Sequence, residues 1–160
     1  MNPIADEIDS AIAALADHSV APLRTLRRSF SKRLRPASGR DVISAALDLR
    51  KRGGLSRHFI ACELVRHHPA ALAALSARDL EQFGKGLDSW AAVDVFATYL
   101  SGPAWREGQV SDAWIRSWAG SSDRWRRRAA LASTVPLNSR GRGGDGDPVR
   151  TLRVCALLVG

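Results

Sequence analysis

The sequence predicts an all-α chain arranged as an α-α superhelix, a solenoid of antiparallel helix pairs joined by short turns. Apolar residues recur at three- and four-residue spacing along almost its whole length, and no strand-like alternation survives inspection. Pro and Gly clusters cut the pattern into helix-sized pieces, and the pairs they form repeat at roughly 30–45 residues, as helical arrays do. The pieces at 20–35, 56–68, 88–101 and 121–135 are candidates for an inner layer. Three of these four carry arginine or His-Arg clusters, which would make the concave wall of such a stack basic.

Each element has its own local reason. Ile4, Ile8, Ala11, Ile12 and Leu15 share a helical face, and Asp6, Glu7 and Asp9 load its first turns as the helix dipole prefers. A second helix over Val20–Arg35 puts Leu23, Leu26, Phe30 and Leu34 on one stripe and Arg24, Arg28, Ser31 and Arg35 on the other. Pro36 and Gly39 end it, and Ser38 or Asp41 can cap the next helix, Asp41–Arg52. After Gly53-Gly54 a fourth helix, Ser56–His68, is expected to bury Phe59, Cys62, Leu64 and Val65. Past Pro69 come a short alanine-rich helix and another over Ser76–Gly84 with Leu80 and Phe83 inward.

The next helix, Gly86–Leu100, is begun or interrupted at Asp88 or Ser89, and Gly102-Pro103 is expected to close it. Trp105 and Val110–Trp118 supply a further helix, and a Gly-Ser-Ser-Asp turn leads into the arginine helix of Ser121–Val135. Residues 136–148, with their SRGRGGDGD core, read as a flexible Gly-rich loop, and 149–160 as a terminal helix of the same domain. The domain expectation is therefore 1–135, the loop 136–148, and the helix 149–160. That last helix is apolar on nearly every side and the chain is expected to be C-terminally short, so the helix is expected to be covered by another copy of the protein or held loosely behind the Gly-rich loop.

Composition narrows the functional classes. Twenty-four Lys and Arg against sixteen Asp and Glu give a net charge of +8 in 160 residues. Only Lys32, Lys51 and Lys85 are lysines, so the charge is almost all arginine, whose planar fork matches phosphate oxygens. A GC-rich genome also raises arginine content, which is the bland explanation of the same numbers. Cys62 and Cys155 fit no metal or CxxC spacing and read as buried thiols. His58, His67 and His68 have no second cluster to complete a metal site, and Gly141–Gly146 lacks the GK[ST] ending of a phosphate loop. No metal or cofactor is expected. Neither a signal peptide nor a membrane-spanning run is visible, so the bacterial cytoplasm and nucleoid are the expected location.

The strongest signal lies in residues 86–135. Trp90 and Asp94 sit one turn apart, with Asp94 at the edge of a stripe made by Val93, Phe96, Ala97 and Leu100. On the arginine helix, Trp125, Leu131, Ala132 and Val135 define the expected buried side, and Arg128 points the way the last three do. An acid at a core boundary and an arginine on a core stripe are both costly unless something satisfies them.

The stretches Ser89-Trp90-Ala91-Ala92-Val93-Asp94 and Asp123-Arg124-Trp125-Arg126-Arg127-Arg128-Ala129-Ala130 resemble the AlkD-type DNA alkylation repair glycosylases. These are HEAT-like helical repeats that bind duplex DNA in a basic concavity. The likeness covers about residues 20–135 and rests on W-x-x-x-D followed about thirty residues later by W-x-x-R-A-A. It implies that Asp94 is the catalytic carboxylate, that Trp90 packs on the DNA at the lesion, and that Arg128 holds the backbone nearby. It also implies a cofactor-free excision of N3- and N7-alkylated purines, without swinging the base into a deep pocket. Ser89 and Ala91 flank Trp90 where the family usually has a second aromatic.

An N-alkylated purine is cationic and leaves readily, so the enzyme has only to stabilise an oxocarbenium-like sugar and position a water. A fixed carboxylate does both. Arg124, Arg126, Arg127 and Trp125 are the further DNA-binding candidates, with a solvated charged face as the ordinary reading of the arginines. Two functional classes stay open: a glycosylase, and a non-catalytic helical-repeat binder of nucleic acid. A protein-interaction scaffold fits the charge less well.

Overall fold

The computed structural model describes residues 2–159, and among them every regular element is helical. The chain divides into two compact units, Met1–Leu75 and Ser76–Gly160.

The first unit contains α1 (Pro3–Ala13), α2 (Val20–Leu34), α3 (Gly39–Lys51), α4 (Leu55–Arg66) and α5 (Pro69–Ala73). Capping side chains fix several starts. Asn2 accepts from the backbone of Ile4 and Ala5, and Ser38 from that of Asp41. Ile8, Ile12, Ile43, Leu49, Ile60 and Leu64 are fully enclosed, and α4 runs through the middle with every residue from His58 to Val65 buried. A helix buried all round has no amphipathic stripe, which is why its sequence pattern named only four of those eight positions.

Two charges of this unit are buried together. Glu63 on α4 is 1% exposed and Arg27 on α2 is 8% exposed. Arg27 Nε donates to one carboxylate oxygen at 3.0 Å and Arg24 Nε to the other at 3.0 Å. Pairing of this kind is what makes a buried carboxylate tolerable. At the other end, Arg52 bridges Asp6, Asp9 and Asp48, while Arg57 also bonds Asp9.

In the second unit the elements are α6 (Ala77–Gly84), α7 (Trp90–Phe96), a π-helical turn (Ala97–Ser101), α8 (Gly102–Arg106), α9 (Asp112–Ala119), α10 (Arg124–Ala132), α11 (Val135–Asn138) and α12 (Pro148–Val159). Gly102-Pro103 does not close the helix of Trp90, contrary to the sequence expectation. The chain widens into the π turn, with Gly102 N–H reaching Ala97 O, and runs on as α8. Pro103 brings no N–H, and the wider turn interrupts the ordinary bonding pattern just before that gap. Gly102 also permits close approach. A Cβ there would fall 2.7 Å from Pro136 Cγ and 2.8 Å from Ser133 O.

The core of this unit is aromatic. Trp118 is 1% exposed and stacks on Phe96 with ring centroids 5.5 Å apart. Its Nε1 donates to Glu81 at 2.7 Å. Residues 136–148 are more structured than a flexible linker: α11 and a 3-10 turn (Arg140–Arg142) occupy part of them, and Pro136, Leu137 and Gly144 are buried. Arg106 Nη1 bonds the carbonyls of Pro136 and Arg142, and Gly146 N–H bonds Leu137 O. Of the two thiols, Cys62 is buried, and that burial holds it protonated well above the ordinary range. Cys155 is only half-buried.

Candidate functional site

Ser89 caps α7 by accepting from Ala92 N–H at 3.3 Å, which places Trp90 on the first turn. Trp90 is 65% exposed, far more than packing would leave on so large an apolar ring. Val93, Phe96, Ala97 and Leu100 are fully buried as their spacing predicts, so Asp94 is held at the edge of the core with its carboxylate on an open face.

The arginine helix is rotated from the expected orientation. Its buried residues are Ala129 and Ala130, each 1% exposed, whereas Leu131 is 43% and Val135 is 42% exposed. The small Ala129 and Ala130 are the residues α10 turns inward, which leaves the bulkier Leu131, and Val135 at the start of α11, on the outer side. Arg128 still shares a side with them, as the spacing implies, but the side is a cleft wall and not core. Across it, Arg128 Nε donates to Asp94 Oδ1 at 2.9 Å and Nη2 to Oδ2 at 2.8 Å. This is the two-pronged arrangement that fixes an arginine and a carboxylate in one plane. The hydrogen bonds it donates to Asp94 raise the Arg128 guanidinium pKa still further above its usual value.

The pair lies in an open cleft of about 540 Å³. Thr98 and Tyr99 from the π turn and Arg142 from the 3-10 turn complete its lining, and the Arg142 guanidinium sits 5.6 Å over the Tyr99 ring. None of these three was singled out in the sequence. Thr98 was the legible one, a helical turn beyond Asp94, whereas Arg142 lies in a stretch that reads as linker.

The remaining arginine-helix candidates divide by partner. Arg126 bonds Glu81 at 3.1 Å and covers the Trp118 ring at 4.8 Å, forming a closed set with the Trp118–Glu81 bond. Arg127 Nη1 donates to the carbonyls of Ser121 and Ser122 at 2.8 Å each, closing the turn that Asp123 caps. Arg124 is exposed and stacks on the half-buried Trp125 at 4.6 Å. Among the described residues, no group of three or more His, Cys, Asp or Glu is arranged to hold a metal. His68 has a structural task, since Nδ1 accepts from Ala71 N–H and Nε2 bonds Leu34 O.

The sequence pattern of DNA alkylation repair enzymes matches residues 19–160. The chain belongs to that family. The match takes in α2 through α12 and so includes the Trp90, Asp94 and Arg128 positions. As a member of a DNA alkylation repair enzyme family, the protein is an enzyme of alkylation repair, and DNA is its substrate. No characterised protein and no solved structure matches the chain. No helix among the described residues is long and apolar enough to cross a membrane.

Proposed function

We propose that this member of the family is a DNA glycosylase that hydrolyses the N-glycosidic bond of N3- or N7-alkylated purines in duplex DNA, with Asp94 as its catalytic carboxylate. The observation that carries the proposal is the two-pronged Asp94–Arg128 pair in an open cleft, with a widely exposed tryptophan one turn away. A carboxylate so held keeps outward lone pairs, because each of its oxygens accepts more than one hydrogen bond.

In the reaction the bond from C1′ to the purine nitrogen breaks, and its electrons neutralise the cationic base. Positive charge develops on the sugar, where the fixed Asp94 carboxylate opposes it without having to reorganise. A water held by the same carboxylate adds to C1′ and passes its proton to the carboxylate or to solvent. Arg128 positions Asp94 and offers its remaining donors to a flanking phosphate. Trp90 presents an aromatic face to the sugar or the cationic base, an attraction worth about 0.5–2 kcal/mol. Arg124, beside Trp125, adds a sequence-independent phosphate contact, while Arg126 and Arg127 hold the helix that carries them.

The reading is tested by incubating the protein with methylated duplex DNA and analysing the released bases. Free 7-methylguanine or 3-methyladenine supports it, and intact DNA from a folded, DNA-binding protein contradicts it. The second reading, a binder without catalysis, draws on the same pair: Arg128 bonds both Asp94 oxygens, as it would in a purely structural ion pair.

A further inference from the structure

Most acids of the first unit are paired with arginines, while Asp17 and Asp41 bond the nearby Ser19 and Ser38. Glu63 takes Arg24 and Arg27, Glu7 takes Arg33, and Asp6, Asp9 and Asp48 take Arg52, with Arg57 also on Asp9. Three cations of α2 and its C-cap are left over: Arg28, Lys32 and the C-cap residue Arg35 are exposed and have no carboxylate partner among the described residues. They fall at helical spacing on one face and line a cleft of about 650 Å³ together with Ser31, Arg27 and His67. No acid is among the residues lining it. Ser31 Oγ is buried at this wall and has no hydrogen-bond partner. A serine in a helix ordinarily bonds back to a carbonyl one turn earlier, and an unmade bond at a buried hydroxyl is costly.

We propose that this cleft, formed by α2 and the start of α5, is a phosphate-binding site that takes consecutive phosphodiester groups of one DNA strand. The site rests on the repair function only in taking DNA as its polymer; it is separate from the chemistry assigned to Asp94. The rise of an α-helix puts Arg28 and Lys32 about 6 Å apart along the axis and Arg28 and Arg35 about 10 Å apart. Successive phosphates of one strand advance about 3.4 Å along the duplex, so the row of cations spans about three of them. Uncompensated cations suit a ligand that arrives with its own charge, and a phosphate oxygen supplies the acceptor that the Ser31 hydroxyl lacks. Burial, and then the nearby Arg27 charge, holds the His67 imidazole below its usual pKa. At neutral pH it therefore adds a neutral ring nitrogen to the wall rather than a fourth free charge.

The test is the salt dependence of binding to undamaged duplex DNA, measured by fluorescence anisotropy between about 50 and 200 mM salt. Each neutralised phosphate contributes about 0.9 to the log–log slope. Neutralising all three positions (Arg28→Gln, Lys32→Gln, Arg35→Gln) is expected to flatten the slope by about 2.7, and Lys32→Gln alone by about 0.9. Over a fourfold rise in salt the triple change accounts for about 40-fold of the wild-type loss in affinity. Arg33→Gln, whose arginine is already paired with Glu7, controls for net charge and should leave the slope unchanged. A folded triple variant with the wild-type slope, an Arg33→Gln slope shifted as far as the Lys32→Gln one, or a wild type that does not bind DNA would each overturn the site. A wild type that binds DNA with the expected slopes and releases no base would leave the site standing and refute the glycosylase reading instead.

Discussion

Arg128→Lys separates what the Asp94–Arg128 pair does for the fold from what it does for the reaction. Lysine keeps the charge and replaces two parallel donors at 2.9 and 2.8 Å with a single mobile ammonium. The side chains are 45% and 37% exposed, so solvent screens the pair, and its share of stability is at most about 1 kcal/mol. The melting temperature should therefore fall by no more than about 4 °C. The carboxylate, no longer clamped, is free to swing by about an ångström, a displacement that costs on the order of a hundredfold in rate. That ratio is about 2.7 kcal/mol of transition-state stabilisation, larger than the whole contribution to folding. The assay is single-turnover release of 7-methylguanine at saturating protein, with a thermal melt of the same sample. A wild-type rate from Arg128→Lys, or a melting temperature lowered by more than about 10 °C, would show that the pair is structural and refute the reasoning.

Three further outcomes follow from packing and charge. Gly84→Ala places a Cβ 2.2 Å from a Trp118 ring that Phe96 and Trp114 back on other sides, so it should destabilise by about 1–3 kcal/mol, read by denaturant titration; an unchanged midpoint would contradict this. On acidification, stability should hold down to about pH 5 and fall below about pH 4. Burial lifts the Asp9 carboxyl, but Arg57 and Arg52 hydrogen bonds outweigh it; the Asn2 N–H lowers Asp48, and the Trp105 Nε1–H lowers Asp112. Carboxylates lowered in the folded state stabilise it above their unfolded pKa and lose that as the pH drops through the folded value, so a melting temperature that rises toward pH 3 would reverse the sign. Finally, Val149, Leu152, Leu157 and Val159 are exposed on α12, which is the surface for the self-association expected from the sequence; light scattering should show a concentration-dependent dimer that Leu152→Glu abolishes, and a monomer at all concentrations would exclude it.

The helical architecture was legible in the sequence, and so were Asp94 and Arg128 singly, as ionic side chains on otherwise apolar faces; that the two meet across a cleft was not. What the face borders was not legible. Leu131 and Val135 outrank Ala129 and Ala130 in hydrophobicity, yet it is the alanines that are buried. Gly102-Pro103 reads as a helix stop, but the π turn ahead of it lets the helix continue and brings Thr98 and Tyr99 to the cleft. Glu63 and Arg27 are hidden for another reason: nothing in a single helix says that its acid will meet an arginine of a different helix. Arg126 and Arg127 read as free cations until Glu81 and the Ser121–Ser122 carbonyls are seen beside them.

The central claim is that the Asp94 carboxylate acts on the reacting sugar, and Asp94→Asn tests it most directly. The amide keeps the size and one acceptor for Arg128 while removing the negative charge. Release of 7-methylguanine from methylated duplex DNA should fall at least about a hundredfold, or roughly 3 kcal/mol. Affinity for the same DNA should hold or rise, because a charge repelling the phosphates is gone. Release at the wild-type rate by Asp94→Asn would contradict the assignment of the catalytic residue.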